Sequence, residues 1–337
     1  MKDLGNKAAK KPGNAPKQGG PRPPAQVVKV VIGPEEAGQR LDNFLFRKLK
    51  GVPKTRIYRI CRDGEVRVNS KRIEPAYRLV EGDEVRIPPV RVAERPDKPA
   101  VKIGKPLLDR VIYRDDSLLI IDKPAGMAVH GGSGVSQGVI EQLRAELPEA
   151  RFLELAHRLD RETSGVLVLA LKRSALVELH RMLREGETRK RYLTLAVGHW
   201  RDQVRNVRLA LQKYVTGEGE RRVSVQEDGQ AAHTIFHLVE HYPGFSLLEA
   251  ELKTGRTHQI RVHLAALKHP IAGDDKYGDF ELNKRLKSQG LKRMFLHAAS
   301  LEFKHPLTGK PLKLQSPLPA DLRQFLESLK KTDTHVG

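Results

Sequence analysis

Asp160 stands three residues after His157, two after Arg158 and one before Arg161, in the stretch Leu155-Ala156-His157-Arg158-Leu159-Asp160-Arg161-Glu162-Thr163-Ser164-Gly165. This stretch runs directly into the apolar segment Val166-Leu167-Val168-Leu169-Ala170. An acid flanked by three cations or potential cations, in a turn between two apolar segments, is expected to be held ionised and presented at the end of a sheet. Nucleophilic attack is the chemistry such a group suits. The plain alternative is a surface carboxylate paired with an arginine. His157, His258 and His263 read as hydrogen-bonding structural residues, and without a carboxylate cluster beside them no metal is assigned. Cys61 is the only cysteine, which excludes an internal disulfide and a thiolate-cluster metal site and leaves it as a small core residue of its helix.

The elements that must position this turn divide the chain. Residues 1–25 contain Lys, Pro, Gly and Gln with almost nothing to bury, and read as a disordered basic tail. Residues 26–90 read as a small basic domain. A strand at Val27 to Ile32 is followed by a helix with Leu41, Phe44 and Leu45 on one face. A second helix, Lys54 to Arg62, turns Ile57 and Ile60 inward and leaves its cations outside. Strands at Gly64 to Asn69 and Gly82 to Ile87 follow, with a turn at Ser70-Lys71. Arg40, Lys54, Arg56 and Arg59 are the expected phosphate contacts, since guanidinium groups pair with phosphate without reading sequence. Residues 91–107 read as a Pro-rich linker, 108–330 as a larger domain that carries Asp160 and 331–337 as a C-terminal tail.

Within the larger domain, Leu118 to Lys123 reads as a buried strand ended by Pro124, and Gly126 to Gly134 as a flexible glycine-rich loop over the cleft, without Walker spacing. A short helix is expected over Val139 to Leu147. A longer helix over Ser174 to Arg184 points Leu176, Leu179 and Leu183 inward, and a strand follows over Arg189 to Val197. Residues 201–230 read as polar and turn-rich. Strands at Ala232 to Tyr242 and Phe245 to Leu252 precede a helix with Ile260, Leu264 and Leu267 on its inner stripe, for which Gly255 and the threonines provide a turn and N-cap. Strands at Phe295 to Phe303 and Leu312 to Gln315 and a helix from Ala320 to Leu329 end the domain. Many strands with few helices give an α+β class with a mixed, mainly antiparallel sheet.

The bulk numbers name the partner. Of 337 residues, 61 are Lys or Arg and 41 are Asp or Glu, a net charge of +20. An excess of that size points to a polyanion, most commonly nucleic acid. No apolar run approaches the length of a membrane span and no signal-peptide core is present, so a cytoplasmic protein is expected.

His157-Arg158-Leu159-Asp160 followed by Thr163-Ser164-Gly165 resembles the signature of pseudouridine synthases of the RluA/RluC type, which isomerise uridines in ribosomal RNA. The likeness extends to Asp122-Lys123-Pro124-Ala125-Gly126 with Val129-His130, Lys190-Arg191-Tyr192, Gly255-Arg256-Thr257-His258-Gln259-Ile260-Arg261-Val262-His263, Gly273-Asp274 with Tyr277-Gly278, and Leu296-His297-Ala298. Residues 38–87 resemble the RNA-binding module named after ribosomal protein S-four, with Asn69-Ser70 where many such modules read Asn-Gly. Within the family, the amino-terminal module, the loop 129–134 and the segment 88–92 look closest to the enzymes of the large ribosomal subunit.

The resemblance implies a pseudouridine synthase fold, no cofactor, and a monomer acting on ribosomal RNA of the 23S kind. It makes Asp160 the catalytic carboxylate and assigns to Arg261 the cation that keeps it ionised. Tyr192 would stack on the base and later accept a proton, and Ile260 would pack the pocket floor. Arg158 would enter the space left by a flipped base, where a guanidinium plane can stack. Attack on the anomeric carbon and removal of a ribose proton both remain open to Asp160. Glu162 invites a paired-carboxylate glycosidase reading, which is rejected because that chemistry needs two acids across a sugar and the resemblance gives a role to one. The rival class is a non-catalytic RNA-binding ribosome-assembly factor.

Overall fold

The computed structural model describes residues 26–49, 51–90, 105–131, 137–217 and 219–333. The expected basic tail, most of the linker, part of the glycine-rich loop and the end of the C-terminal tail lie outside them. The chain forms two compact units, residues 1–96 and 97–337.

In the first unit, β1 (Val28–Val31), α1 (Leu41–Lys48), α2 (Lys54–Arg62), β2 (Arg67–Val68) and β3 (Glu84–Ile87) follow in order. The strands form a small antiparallel sheet, β1-β3-β2. Leu41, Phe44 and Leu45 of α1 and Ile57, Ile60 and Cys61 of α2 close one core with Val66, Val68, Leu79 and Val85. Each such aliphatic side chain contributes about 1.5–3 kcal/mol by leaving water. Asn69 and Ser70 both take positive φ, 49° and 65°, which reverses the chain tightly without a glycine.

The second unit contains β4 (Val111–Arg114), β5 (Leu118–Lys123), α3 (Val139–Glu146), β6 (Glu154–Leu155), β7 (Ser164–Ala170), α4 (Arg173–Glu185), β8 (Arg189–Val197), β9 (Val204–Val207), β10 (Leu211–Val215), β11 (Arg221–Val225), β12 (Thr234–Tyr242), β13 (Phe245–Leu252), α5 (Gln259–Ala266), α6 (Phe280–Ser288), β14 (Leu296–Lys304), β15 (Pro311–Gln315) and α7 (Ala320–Asp333). One large sheet runs β4-β5-β7-β14-β8-β13-β12-β9, with β6 added on β7 and β15 on β14. Among the described strands only β7 and β14 are parallel, so the sheet is mixed and mainly antiparallel as expected.

The unbroken apolar runs of β5 and β7 follow from burial on both faces. Leu119, Ile121, Leu167 and Leu169 face the main core, while Leu118, Ile120, Val166 and Val168 face a second layer formed with α4. On α4 the buried stripe is Ala175, Leu179 and Met182, whereas Leu176 and Leu183 are only half-buried. The segment 201–230, which reads as polar and turn-rich, holds β9 and the antiparallel hairpin β10-β11.

Candidate active site

Backbone carbonyls and a lysine build the turn that carries Asp160. The Lys123 ammonium, fully buried at the end of β5, donates to the carbonyls of Pro124 (2.8 Å), Met127 (2.7 Å) and Arg161 (3.1 Å). Burial pushes this amine down to about 7 and the charges of Glu162 and Asp160 pull the other way. Three carbonyl acceptors match the three N–H bonds that only the ammonium form carries. Gly126 N donates to the Arg161 carbonyl (2.9 Å) while Arg161 Nε donates to the Gly126 carbonyl (3.0 Å), so the turn is laced to the loop after β5. His157 turns inward, where its Nε2 accepts the Val168 N–H at 3.1 Å. Burial, assisted by the Lys190 charge, pushes that imidazole down to about 4. The sequence neighbours His157 and Arg161 therefore shape the turn. Arg158 is exposed on the cleft wall and makes no ion pair among the described residues.

The partner of Asp160 comes from α5. Arg261 Nη1 lies 3.1 Å from Asp160 Oδ2. Its other edge is taken by Asp274, which accepts Nε and Nη2 at 2.7 Å each and is itself fully buried. Asp274 also accepts the backbone N–H groups of Lys276 and Tyr277. Burial opposes ionisation of Asp274, and the Arg261 pair more than reverses this, leaving the carboxyl below its ordinary range. Burial likewise works against the guanidinium, but Asp274 and then Asp160 hold it above its ordinary value. A planar fork bound on one edge is fixed in orientation, and Arg261 meets Asp160 with the one nitrogen left over.

Asp160, Arg158, Tyr192, Ile260 and Arg261 all line one open cleft of about 1090 Å³. Tyr192 is buried on β8, and burial together with the Asp160 charge raises its phenol, so the ring meets the cleft in its protonated form. Ile260 lies beside Arg261 in the first turn of α5 and is 5% exposed. Lys190, two residues before Tyr192 and therefore on the same face of β8, also lines the cleft, and burial lowers its amine. It makes no ion pair among the described residues.

The start of α5 differs from the expected threonine cap. His258 occupies the N-cap position in the left-handed conformation (φ 53°, ψ 22°), with no side-chain cap. Gln259 ties the loop instead. Its Oε1 accepts Thr254 Oγ1 and Arg256 N, while its Nε2 donates to the His233 carbonyl and Thr234 Oγ1. His258 Nε2 lies 3.8 Å from Asp160 Oδ2. Asp274, Tyr277 and Lys123 stand out in the sequence only as parts of motifs, and their roles become visible once the loops are folded.

In the first unit, Arg40 commits Nε and Nη2 to Asp42 (3.1 and 2.7 Å). Lys54 lies over the Phe46 ring, and Arg56 and Arg59 form long, exposed pairs with Glu65 (3.9 Å) and Asp63 (3.5 Å). Such pairs hold these cations weakly and leave them available to phosphate.

An open cleft with one carboxylate, one fixed arginine and a buried tyrosine, in a mixed sheet on a strongly basic chain, fits an enzyme that acts on nucleic acid. The chain belongs to the RNA pseudouridylate synthase family: residues 117–266 match that family and residues 39–85 match the S4 domain. It is 54% identical to the ribosomal large subunit pseudouridine synthase C of Salmonella typhi and 53% identical to that of Escherichia coli K12, in each case over 90% of this chain and 97% of the relative. The Haemophilus influenzae protein of the same name is 50% identical over 91% of this chain. Among solved structures, the human RNA pseudouridylate synthase domain containing 4 superposes with a TM-score of 0.55 at 25% identity, covering 66% of this chain and 94% of that one. The fold is accordingly a pseudouridine synthase fold with an S4 domain at the N-terminus, and the protein is an isomerase. Among the described residues no helix is long and apolar enough to cross a membrane, and no cluster of three or more His, Cys, Asp or Glu could hold a metal ion.

Proposed function

We propose that this protein, as a cytoplasmic monomer, converts uridines of large-subunit (23S) ribosomal RNA to pseudouridine, with Asp160 as the catalytic carboxylate. The observation that carries this reading is the contact of Asp160 with Arg261, whose orientation is set by the buried Asp274. The reaction breaks the bond from ribose to uracil N1, turns the base, joins C5 to the anomeric carbon and releases the C5 proton. No redox step enters. Asp160 acts on the ribose, at the anomeric carbon or on a ribose proton, from within a cleft where its charge has one fixed partner. Tyr192 forms the wall on which the base stacks; its raised phenol favours packing over proton acceptance. Ile260 closes the floor, and Arg158 fills the stack left by the flipped nucleotide. Lys54, Arg56 and Arg59 bring phosphates to the S4 domain, with Arg40 assisting through the nitrogen that Asp42 leaves free.

The C5 proton is lost on each turnover, so RNA tritiated at uridine C5 reports the reaction directly. Wild type is expected to release tritium, and Asp160→Ala to fall to background while binding the RNA as before. Equal release by both proteins would remove the role given to Asp160. Mapping pseudouridines in cells lacking the protein tests the substrate: sites should vanish from large-subunit RNA and nowhere else.

A further inference from the structure

His258 faces the catalytic carboxylate, yet nothing above gives it work. Its ring packs edge-on against Tyr277, with Nε2 3.8 Å from Asp160, and it feels the charges of Asp160, Arg261, Lys276 and Asp274. The Tyr277 hydroxyl lies 2.8 Å from His258 Nδ1 and accepts the backbone N–H of Val223 at 3.0 Å. A phenol has a single proton. Among the described residues His258 Nδ1 is the acceptor in reach of that proton, and an Nδ1–H donating to the phenol oxygen instead would leave the phenol proton without a protein partner. Nδ1 therefore accepts, and the neutral ring must carry its own proton on Nε2, the nitrogen 3.8 Å from Asp160. Burial lowers the pKa of this imidazole despite the nearby Asp160 charge, which keeps the neutral form in play.

We propose that His258 is a positioning residue for Asp160: Tyr277 fixes its tautomer so that Nε2–H points at the carboxylate, and the hairpin β10-β11 fixes Tyr277. The backbone agrees. His258 is one of four non-glycine residues with positive φ among the described residues, and the one that borders the cleft, a costly conformation that places the ring beside Asp160. The hairpin is tied to the same loop at three further points: Lys276 Nζ pairs with Glu220 and donates to the Arg221 carbonyl, and Arg222 donates to the Lys276 carbonyl. A segment that reads as polar and turn-rich from its sequence thus reaches the carboxylate through two side chains.

The inference rests on Asp160 being the catalytic carboxylate, and the test separates the two. Tyr277→Phe keeps the ring over Arg261 but removes the proton that sets the tautomer. Its single-turnover tritium release is expected to fall about tenfold, the scale of one charge-assisted hydrogen bond once Nε2–H closes onto the carboxylate in the RNA complex, with RNA affinity unchanged and an altered pH profile. His258→Gln supplies an amide donor that needs no tautomer, so adding Tyr277→Phe to it should change the rate by no more than about twofold. Nitrogen-15 NMR of labelled histidine, with His258→Gln identifying the resonance, should show Nε2–H in the wild type and a mixture in Tyr277→Phe whether or not the variants turn over. A wild-type ring protonated on Nδ1, or a Tyr277→Phe loss equally large in both backgrounds, overturns the proposal. Tritium release by Asp160→Ala would instead overturn the assignment beneath it.

Discussion

At the scale of single residues, the site is organised by a buried charge rather than by the cations adjacent to Asp160. Arg261 is held on two donors by Asp274 and offers one to Asp160. Removing one partner of a buried pair strands the other, which costs about 3–5 kcal/mol. Asp274→Ala is therefore expected to unfold at lower denaturant than wild type by an amount in that range, and to lose tritium release because Arg261 is free to swing onto Asp160. The effect has a signed pH dependence. A carboxyl whose folded pKa lies below its unfolded value contributes stability above the unfolded pKa, about 3.9 for Asp, and loses it as the pH falls through the lower folded value. The stability gap between wild type and Asp274→Ala should be full at neutral pH and close under strong acid, as urea titrations across that range would show. A gap constant down to pH 2 (~2, well under the unfolded value) would mean that the carboxylate's charge is not what stabilises the fold.

At the scale of elements, the turn bearing Asp160 depends on a close approach of two strands. Gly165, the second residue of β7, has φ +110°, and a Cβ there would lie 2.2 Å from the Ala298 carbonyl oxygen of β14. Gly165→Ala must push apart the one parallel pairing among the described strands, and a loss of about 3 kcal/mol or more is expected, read as a lower chemical midpoint together with lost activity. A variant as stable as wild type would show that β14 yields at no cost. This glycine also shows what the sequence could convey. Thr163-Ser164-Gly165 was legible as a motif, but the reason for its glycine lies in a strand more than a hundred residues away. β5, β7, β8 and β13 were legible because burial leaves long apolar or alternating runs. The hairpin β10-β11 was not, because β10 buries only Leu211 and alternation has nothing to mark. Helix α6 was missed for the same reason, with Leu286 its one buried residue. The contact of Asp160 with Arg261 came from resemblance alone, since no local pattern joins residues 101 apart.

At the scale of the whole molecule, charge is unevenly shared. Residues 1–96 carry 22 Lys and Arg against 11 Asp and Glu, 22 − 11 = +11 of the total +20 in less than a third of the chain. The exposed face of α2 presents Lys54, Arg56 and Arg59, none held by a buried partner. Each phosphate such a group neutralises releases condensed counterions, so the slope of log K against log salt changes by about 0.7–0.9 per contact. Replacing all three by alanine should flatten that slope by about 2 and weaken binding most at low salt. Alanine favours helix, and the lost pairs are exposed, so α2 itself should stand. Turnover at saturating RNA should hardly change, because the groups around Asp160 all come from the second unit. Filter binding from low to moderate salt, with single-turnover rates on the same samples, checks both halves. An unchanged slope would mean these cations face solvent in the bound state. A fall in saturated rate would mean that the S4 domain also orients the target, beyond concentrating the enzyme on RNA.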